Sequence, residues 1–562
     1  MNDVLKTREN DCRSCYKCIR ACPSKSISFQ NGQARIIPSE CVLCGTCYEV
    51  CPQHCKIIRD DTSLAYRLLS SGEAYASIAP SFLSSFPGVS FSSLKQALLR
   101  LGFKDAEETA MGAKLVKDDY ERLIEMGQDV VISTCCHAVN LLVQKHYPEC
   151  LPYMAATLSP MQAHGYAIKE AHKGAKVIFI GPCIAKKDEA DNYPGSIDCV
   201  LTFLELGKML EEKGIVPEQK EEPVLERSAT RLFPMEGGVL RSMKQKEGVD
   251  YVSISGIDNC LLALEDIKRG KIHHAFIEMS SCPGSCLNGP AHIKKENTAL
   301  ANLLSLRHSA GPLDFEVAPL QGKMDKSFAD LANNEPLPSE EQIAAVLSSI
   351  GKVDKKDELN CSSCGYPSCR EKAIAVLQGK ASLEMCLPFL MEKATSFGSD
   401  IVEYSPNGIV VLNEDGIIQL SNPAMASLVG VGSPKALIGK SIAAYLDPEP
   451  FFTSLSGLSC RKKKMALNNG KIGEVSIYYD EKYHIIISSI RDVTDHELRK
   501  AKHIKDAEET ARVTSLVIDK NMEAVQQIAQ LLGESAAATK IALTKLSDTL
   551  ADRKGKEEDE PK

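Results

Sequence analysis

Five cysteines in three separated segments constrain this chain more than any other feature. Cys135 and Cys136 sit in Thr134-Cys135-Cys136-His137, and Cys183 sits in Gly181-Pro182-Cys183-Ile184-Ala185-Lys186. Cys282 and Cys286 sit in Glu278-Met279-Ser280-Ser281-Cys282-Pro283-Gly284-Ser285-Cys286. Finger-type zinc sites draw their ligands from close pairs. Thiolates spread from Cys135 to Cys286 meet only when a whole domain folds around them, so the spacing demands a scaffold that brings them to one centre.

At 562 residues the chain exceeds what one core serves, and several domains are expected. The net charge of −8, with no basic stripe interleaved with aromatics, excludes nucleic acid as an expected partner. Lys462-Lys463-Lys464 reads as a solvated loop or strand edge. The start, Met1-Asn2-Asp3-Val4-Leu5-Lys6, has no apolar signal region, and no apolar run reaches membrane-spanning length. The expectation is a cytoplasmic protein without membrane contact. In that reducing compartment 22 cysteines argue for metal over disulfides.

Cys12, Cys15, Cys18 and Cys22-Pro23 repeat as Cys41, Cys44, Cys47 and Cys51-Pro52. This doubled run resembles the two-cluster bacterial ferredoxins, whose fourth cysteine serves the other cluster. The resemblance implies one 4Fe-4S cluster on Cys12, Cys15, Cys18 and Cys51, and a second on Cys41, Cys44, Cys47 and Cys22. A pair of zinc knuckles is the competing reading of the same thiols. Cys55, outside the pattern, reads as a spare thiol. A segment this poor in apolar residues needs its clusters to fold.

From about residue 72 to 310, short apolar strands alternate with helical stretches, the pattern of an α/β domain. Ala74 to Ile78, Val130 to Ser133 and Val177 to Ile180 are such strands, and Ser93 to Leu101 such a helix. Chemistry in open α/β folds sits at the carboxyl ends of strands, and the cysteine loops begin there. In order and surroundings the three loops resemble those of iron-only (FeFe) hydrogenases. The resemblance implies that Cys136, Cys183, Cys282 and Cys286 hold the cubane of an H-cluster, with Cys286 bridging to a two-iron subcluster carrying CO, CN and azadithiolate. Cys135 becomes the proton-relaying thiol. Lys186 and Glu189 match the motif's Lys and Glu, the ammonium being placed for a charge-assisted hydrogen bond to cyanide. Ile78-Ala79-Pro80-Ser81 resembles the loop covering the two-iron unit, and Val200-Leu201-Thr202 with Glu205-Leu206 a strand–helix junction. Cys150, Cys199, Cys260 and Cys460 read as inert packing thiols.

Departures from the family are specific. Gly181 and Ser280 stand where methionines are usual, Met161 where a hydrogen-bonding Gln is usual, and His137-Ala138-Val139 where Pro-x-Trp is usual; the chain has no Trp. These positions are expected to line the two-iron unit, where neighbouring side chains tune potential and reactivity. Asp118, Asp119 and Glu121 are candidates for an outer proton relay.

A polar linker is expected from roughly Gly322 to Pro338, then a helix from Glu340 to Ile350. Cys361, Cys364, Cys369 and Cys386, with Gly365 and Pro367 between them, resemble the small 4Fe-4S domain of electron-transfer subunits; zinc is the alternative. The resemblance implies that Gly365 lets the backbone approach the cluster and that Pro367 stiffens the turn. Ile401 to Asp492, with a Glu414-Asp415-Gly416 hairpin turn and a closing strand at His484 to Ile490, resembles a PAS sensor domain. It has no flavin-adduct cysteine, its ligand is not named by its residues, and His484 reads as packed or exposed. Ile518, Met522, Val525, Ala529, Leu532, Ala536, Thr539, Leu543, Leu546 and Leu550 then follow alternating steps of four and three, a soft dimerising seam. A helix packed on its own PAS domain is the competing reading.

The expected fold is multidomain α/β and α+β. Its parts are a ferredoxin-like two-cluster module at 1–60, an H-cluster domain at 70–320 and a 4Fe-4S domain at 338–396. A PAS domain at 397–492, a helical output segment at 493–552 and a disordered tail at 553–562 follow. No kinase, cyclase or phosphatase motif follows the PAS region. The expected function is therefore sensory, with H2 and protons as reactants and low turnover. A separate kinase or phosphatase partner and a homodimer are expected. A metabolic hydrogenase exchanging electrons with ferredoxin is one alternative, and Gly181 and Ser280 argue against it. An iron–sulfur redox scaffold without the two-iron unit is the other; Cys286 and Lys186 argue against it.

Overall fold

The computed structural model describes residues 4–9, 11–220, 227–293, 298–322, 324–333, 336–457, 460–467 and 469–554. They form two compact units, Met1–Leu390 and Met391–Lys562. The charged tail expected to be disordered lies, past Lys554, outside the described residues.

In the first unit the doubled cysteine run folds as two half-modules. Leu5–Thr7 pairs antiparallel with Lys56–Ile58, and Ile27–Gln30 pairs with Gln33–Ile36. A short helix opens inside each run, Lys17–Ala21 and Thr46–Glu49. The apolar core between them is small, and Cys18, Cys22 and Cys47 are part of it beside Ile19, Ile27 and Phe29.

The central region is the expected α/β domain, and it carries two parallel sheets. One has four strands, ordered Asp105–Glu108, Ala74–Ile78, Lys176–Gly181, Cys199–Thr202. The other has three, ordered Asp250–Ser255, Ala275–Ser280, Val130–Ile132. Strands buried on both faces read as unbroken apolar runs, and Ala74–Ile78 is buried at every position. Such runs identify strands without saying which sheet they join. Helices start where polar caps allow: Ser159 with Gln162 and Thr202 with Glu205 form capping boxes.

Within the stretch expected to be a linker, Met324 to Leu331 is instead bound to the domain. Lys326 N donates to Ala156 O at 3.0 Å, Leu158 N to Met324 O at 2.9 Å, and Leu331 N to Gln144 O at 2.9 Å. Met324 and Phe328 pack against the hydrophobic clusters of the three-stranded sheet. Polar composition hid this strap, because its attachment is mostly through backbone groups that every residue carries.

In the second unit five antiparallel strands are ordered Ile418–Ser421, Gly408–Asn413, Ile485–Asp492, Ile472–Asp480, Cys460–Ala466. Asn422 ties the sheet to the helix Pro423–Val429, its Oδ1 accepting from Ile409 N at 2.8 Å and Met425 N at 2.9 Å. Lys462 to Lys464 are exposed on the edge strand. His484 is exposed and lies 3.0 Å from Glu414. The helix Thr494–Lys554 follows. Among the described residues no helix is long and apolar enough to cross a membrane.

Candidate metal centre and active site

The three cysteine loops leave the carboxyl ends of strands from both sheets. Val130–Ile132 and Ala275–Ser280 of the three-stranded sheet lead to Cys135-Cys136 and to Cys282-Cys286, while Lys176–Gly181 of the other sheet leads to Cys183. The site is thus built across two sheets. Cys282 has Cys286, Cys183 and Cys136 as electrostatic neighbours, and Cys286 has Cys136, Cys183, Lys186 and Cys135. Burial pushes the Cys183 thiol up to about 11, and those of Cys282 and Cys286 well up. A pocket that disfavours free thiolates suits ligands whose charge is taken up by a metal cluster.

Beside these thiols lies a cavity of about 100 Å³, small for an organic substrate. Its wall is largely apolar, with Pro80, Met161, Phe179 and Phe233; Cys135, Cys183, Lys186 and Cys286 bring the reactive atoms. A compact anionic metal group held by thiolates, with the Lys186 ammonium as counter-charge, would fit this donor set.

Three departures from the family take on physical meaning here. A Cβ at Gly181 would lie 2.8 Å from Cε1 and Cζ of Phe179 and 3.3 Å from Cβ of Ala79. The ring of Phe179 therefore occupies space beside residue 181, and it lines the cavity. His137 does not line it, although a place there was expected. Its buried ring points to Asp188, with Nε2 2.8 Å from Oδ2, and burial holds its pKa down. Ser280 is also off the wall, its hydroxyl 2.7 Å from that of Ser285.

Lys186 donates to Cys135 O at 2.9 Å and forms an ion pair with Glu189. Burial works against a charged Glu189, yet Lys186 and Lys326 hold its pKa well below the usual carboxylate range. Lys326 Nζ reaches the other Glu189 oxygen at 2.5 Å and Gln162 Oε1 at 2.8 Å. Sequence reasoning missed Lys326, placed in a presumed linker.

Of the three outer acids, Asp119 points inward. It accepts from Thr157 Oγ1 at 2.6 Å and pairs with Arg122 at 2.6 Å. Asp118 is half-exposed and paired with Lys114, and Glu121 accepts from Lys244 N at 2.8 Å. Two further groups near Cys135 emerge from the structure. Tyr120 Oη lies 3.3 Å from Cys135 Sγ and accepts from Thr134 N at 2.8 Å. Glu278 is buried, accepts from Leu240 N at 3.1 Å, and burial lifts its pKa to about 7. A carboxylate inside the apolar strand Ala275–Ser280 was the available signal.

The N-terminal thiols gather in two crossed sets. Cys18 has Cys12, Cys15 and Cys51 as electrostatic neighbours, while Cys47 has Cys41, Cys44 and Cys22. Lys56 is buried and acts on Cys18, Cys47 and Cys51; its ammonium bonds Thr7 Oγ1 at 2.5 Å and Ala34 O at 3.0 Å. Among the described residues it has no carboxylate partner, so anionic clusters on these thiols fit as its counter-charge. Cys55 Sγ is 3.4 Å from Cys51 Sγ. Cys361, Cys364, Cys369 and Cys386 line one pocket, and buried Lys372 stands near Cys364, Cys386 and Cys369. Cys150, Cys199 and Cys260 are buried and Cys460 half-buried, each among apolar neighbours.

Comparison with known proteins agrees with this layout. Residues 73–290 match the family described as iron only hydrogenase large subunit, C-terminal domain. Residues 5–52 match a 4Fe-4S dicluster domain, 357–388 an Fe-S cluster family, and 396–466 the PAS fold. The periplasmic Fe hydrogenase large subunit of Nitratidesulfovibrio vulgaris is 24% identical over 355 residues, 50% of this chain and 84% of that one. Iron hydrogenase 1 of Clostridium pasteurianum is 24% identical over 273 residues, 38% of this chain and 48% of its own length. The cytosolic Fe-S cluster assembly factor narfl of Danio rerio is 25% identical over 223 residues, 29% of this chain and 54% of its own. An FeFe hydrogenase structure from Chlamydomonas reinhardtii aligns with a TM-score of 0.40 at 17% identity, covering 49% of this chain and 100% of that one. This chain therefore carries the C-terminal domain of the iron-only hydrogenase large-chain family, together with a 4Fe-4S dicluster domain, a further Fe-S cluster segment and a PAS fold.

Proposed function

We propose that this chain is a cytoplasmic sensory hydrogenase that activates H2 reversibly and reports its redox state through the PAS domain and terminal helix to a kinase or phosphatase partner. The observation that carries this reading is the small apolar cavity where Cys135, Lys186 and Cys286 meet. Cys136, Cys183, Cys282 and Cys286 would hold the H-cluster, which supplies the iron chemistry that takes up and splits H2. Lys186 offers an ammonium to its anionic ligands, oriented by Glu189. Cys135 keeps its proton at neutral pH, since burial lifts its thiol to about 12, and can pass a proton between the cavity and Tyr120. Phe179 and Met161 exclude water from the cavity. Clusters held by the crossed N-terminal thiol sets and by Cys361, Cys364, Cys369 and Cys386 would carry the electrons.

A second reading, a redox scaffold holding only cubanes, is favoured by the similarity to proteins named cytosolic Fe-S cluster assembly factors. One experiment separates the two. Protein matured with the two-iron unit is examined by infrared spectroscopy and assayed for H2 uptake and evolution, with partner capture compared under H2 and under oxidation. Iron-bound CO and CN bands, slow turnover and redox-dependent capture of a kinase or phosphatase are expected. Absence of the bands would sink the hydrogenase reading. Fast turnover without redox-dependent capture would sink the sensory one and leave a ferredoxin-linked metabolic hydrogenase.

A further inference from the structure

Lys326 lies beyond residues 73–290, on the strap, yet its ammonium is buried inside the site. The strap is held on both sides of it: Asp325 bridges to Thr157, and Gln144 Nε2 donates to Ala329 O at 2.9 Å. The ammonium sits 4.1 Å from the centre of the Tyr193 ring and binds Glu189 Oε1 and Gln162 Oε1. The second Glu189 oxygen binds Lys186. One buried carboxylate is thus shared by two buried ammonium groups, leaving a net single positive charge. Asp188 does not cancel it: its carboxylate bonds His137 Nε2 at 2.8 Å, and the cation that acts on it is Lys145, while neither Lys186 nor Lys326 has it as an electrostatic neighbour. An uncompensated buried charge is costly unless a counter-charge stands beside it. Here that place is the cavity bordered by Lys186.

We propose that Lys326 is a positioning residue: by binding half of Glu189 it leaves Lys186 incompletely neutralised, so that the cavity faces a net positive charge that an anionic metal group answers. This rests on the reading of the site as an H-cluster pocket. With Lys326 present, Glu189 fixes Lys186 without quenching it. Without Lys326, Lys186 and Glu189 form a closed neutral pair, and Nζ is drawn away from the cavity.

The test uses the full-length protein as wild type, Lys326→Met, and the double variant Lys326→Met with Glu189→Gln. The double variant removes one charge of each sign and restores the net positive charge, a cycle that separates electrostatics from packing. Infrared CN bands and the EPR-monitored midpoint potential of the cubane on Cys136, Cys183, Cys282 and Cys286 are recorded. Lys326→Met is expected to shift the CN bands and lower the midpoint, and the double variant to return both toward wild type. Unchanged bands and midpoint in Lys326→Met, or a shift that the double variant does not reverse, would overturn the proposal. If Lys326→Met fails to fold, the double variant decides alone: a wild-type midpoint supports the proposal and a lowered one overturns it. If wild type shows no CO or CN bands, the H-cluster reading fails by itself, and the cubane midpoint still decides whether Lys326 sets the site's charge.

Discussion

Buried groups with unbalanced charge mark this site, and Glu278 gives the clearest stability signature. Burial raises its pKa from an ordinary 4.5 to about 7, so the folded chain binds the proton more tightly than the unfolded chain. Between those values the unfolded carboxyl is ionised while the folded one is not. Stability contributed by this proton therefore falls as pH rises, and levels off above about 7. The shift corresponds to about 3 kcal/mol. Glu278→Gln, neutral throughout, should flatten this part of the pH dependence; unfolding midpoints measured from about pH 5 to about pH 8 check it. An unaltered slope would exclude Glu278 as its source. At Cys135 the expectation is kinetic. Cys135→Ala should cut H2 turnover by roughly 10²- to 10⁴-fold, the usual contribution of a positioned proton carrier, with iron content unchanged. The sequence made the cysteines legible because ligand spacing is local chemistry. It showed that residue 181 lacks a methionine, but not that the Phe179 ring lies beside it, since side-chain direction is settled by packing.

Elements were legible where their signals were internal. The strands preceding the cysteine loops and the helix at Glu340–Ser349 announce themselves by apolar runs and caps. The strap was misjudged because its partners lie far away in sequence. The Cys361–Cys386 segment was recognised from its cysteines, but not its place: it packs directly on the dicluster module. Phe29 N donates to Lys380 O at 2.8 Å, Gln30 Nε2 to Gly379 O at 2.9 Å, and Lys380 pairs with Glu40 at 2.7 Å. Gly365 marks a close approach, and to protein backbone: its φ is +94°, and a Cβ there would lie 3.1 Å from Arg20 N and 3.2 Å from Arg20 Cα. Gly365→Ala should therefore loosen this docking, with about 1–2 kcal/mol from the left-handed backbone alone. Clusters held in contact broaden each other's EPR signals when reduced. The variant should lose that broadening while keeping its iron, and a spectrum identical to wild type would show that the docking tolerates the methyl group.

At the scale of the whole molecule the terminal helix carries a continuous row of exposed apolar side chains. Thr494–Lys554 is one helix of 61 residues, roughly 90 Å at 1.5 Å per residue. Ile518, Met522, Val525, Leu532, Leu543 and Leu546 along it are each more than half exposed. Val517, Ile528 and Leu531 add an exposed flank beside the same seam. Burying each Val, Leu, Ile or Met side chain is worth roughly 1.5–3 kcal/mol, and the helical periodicity puts the seam on one face. Two copies of the chain joined along that face would bury it and give a PAS-driven signal a rigid rod on which to act. Ala529, Ala536 and Thr539 keep the seam soft, so a few charges should break it. Leu532→Asp with Leu543→Asp is expected to convert a dimer of the full-length protein into a monomer. Its iron content and infrared bands should stay unchanged, because no cluster ligand lies on the helix. Light scattering on the eluting peak gives the mass. A monomeric wild type, or a variant that stays dimeric, would remove the helix as the dimer contact, and with it the route from redox state to a paired output rod.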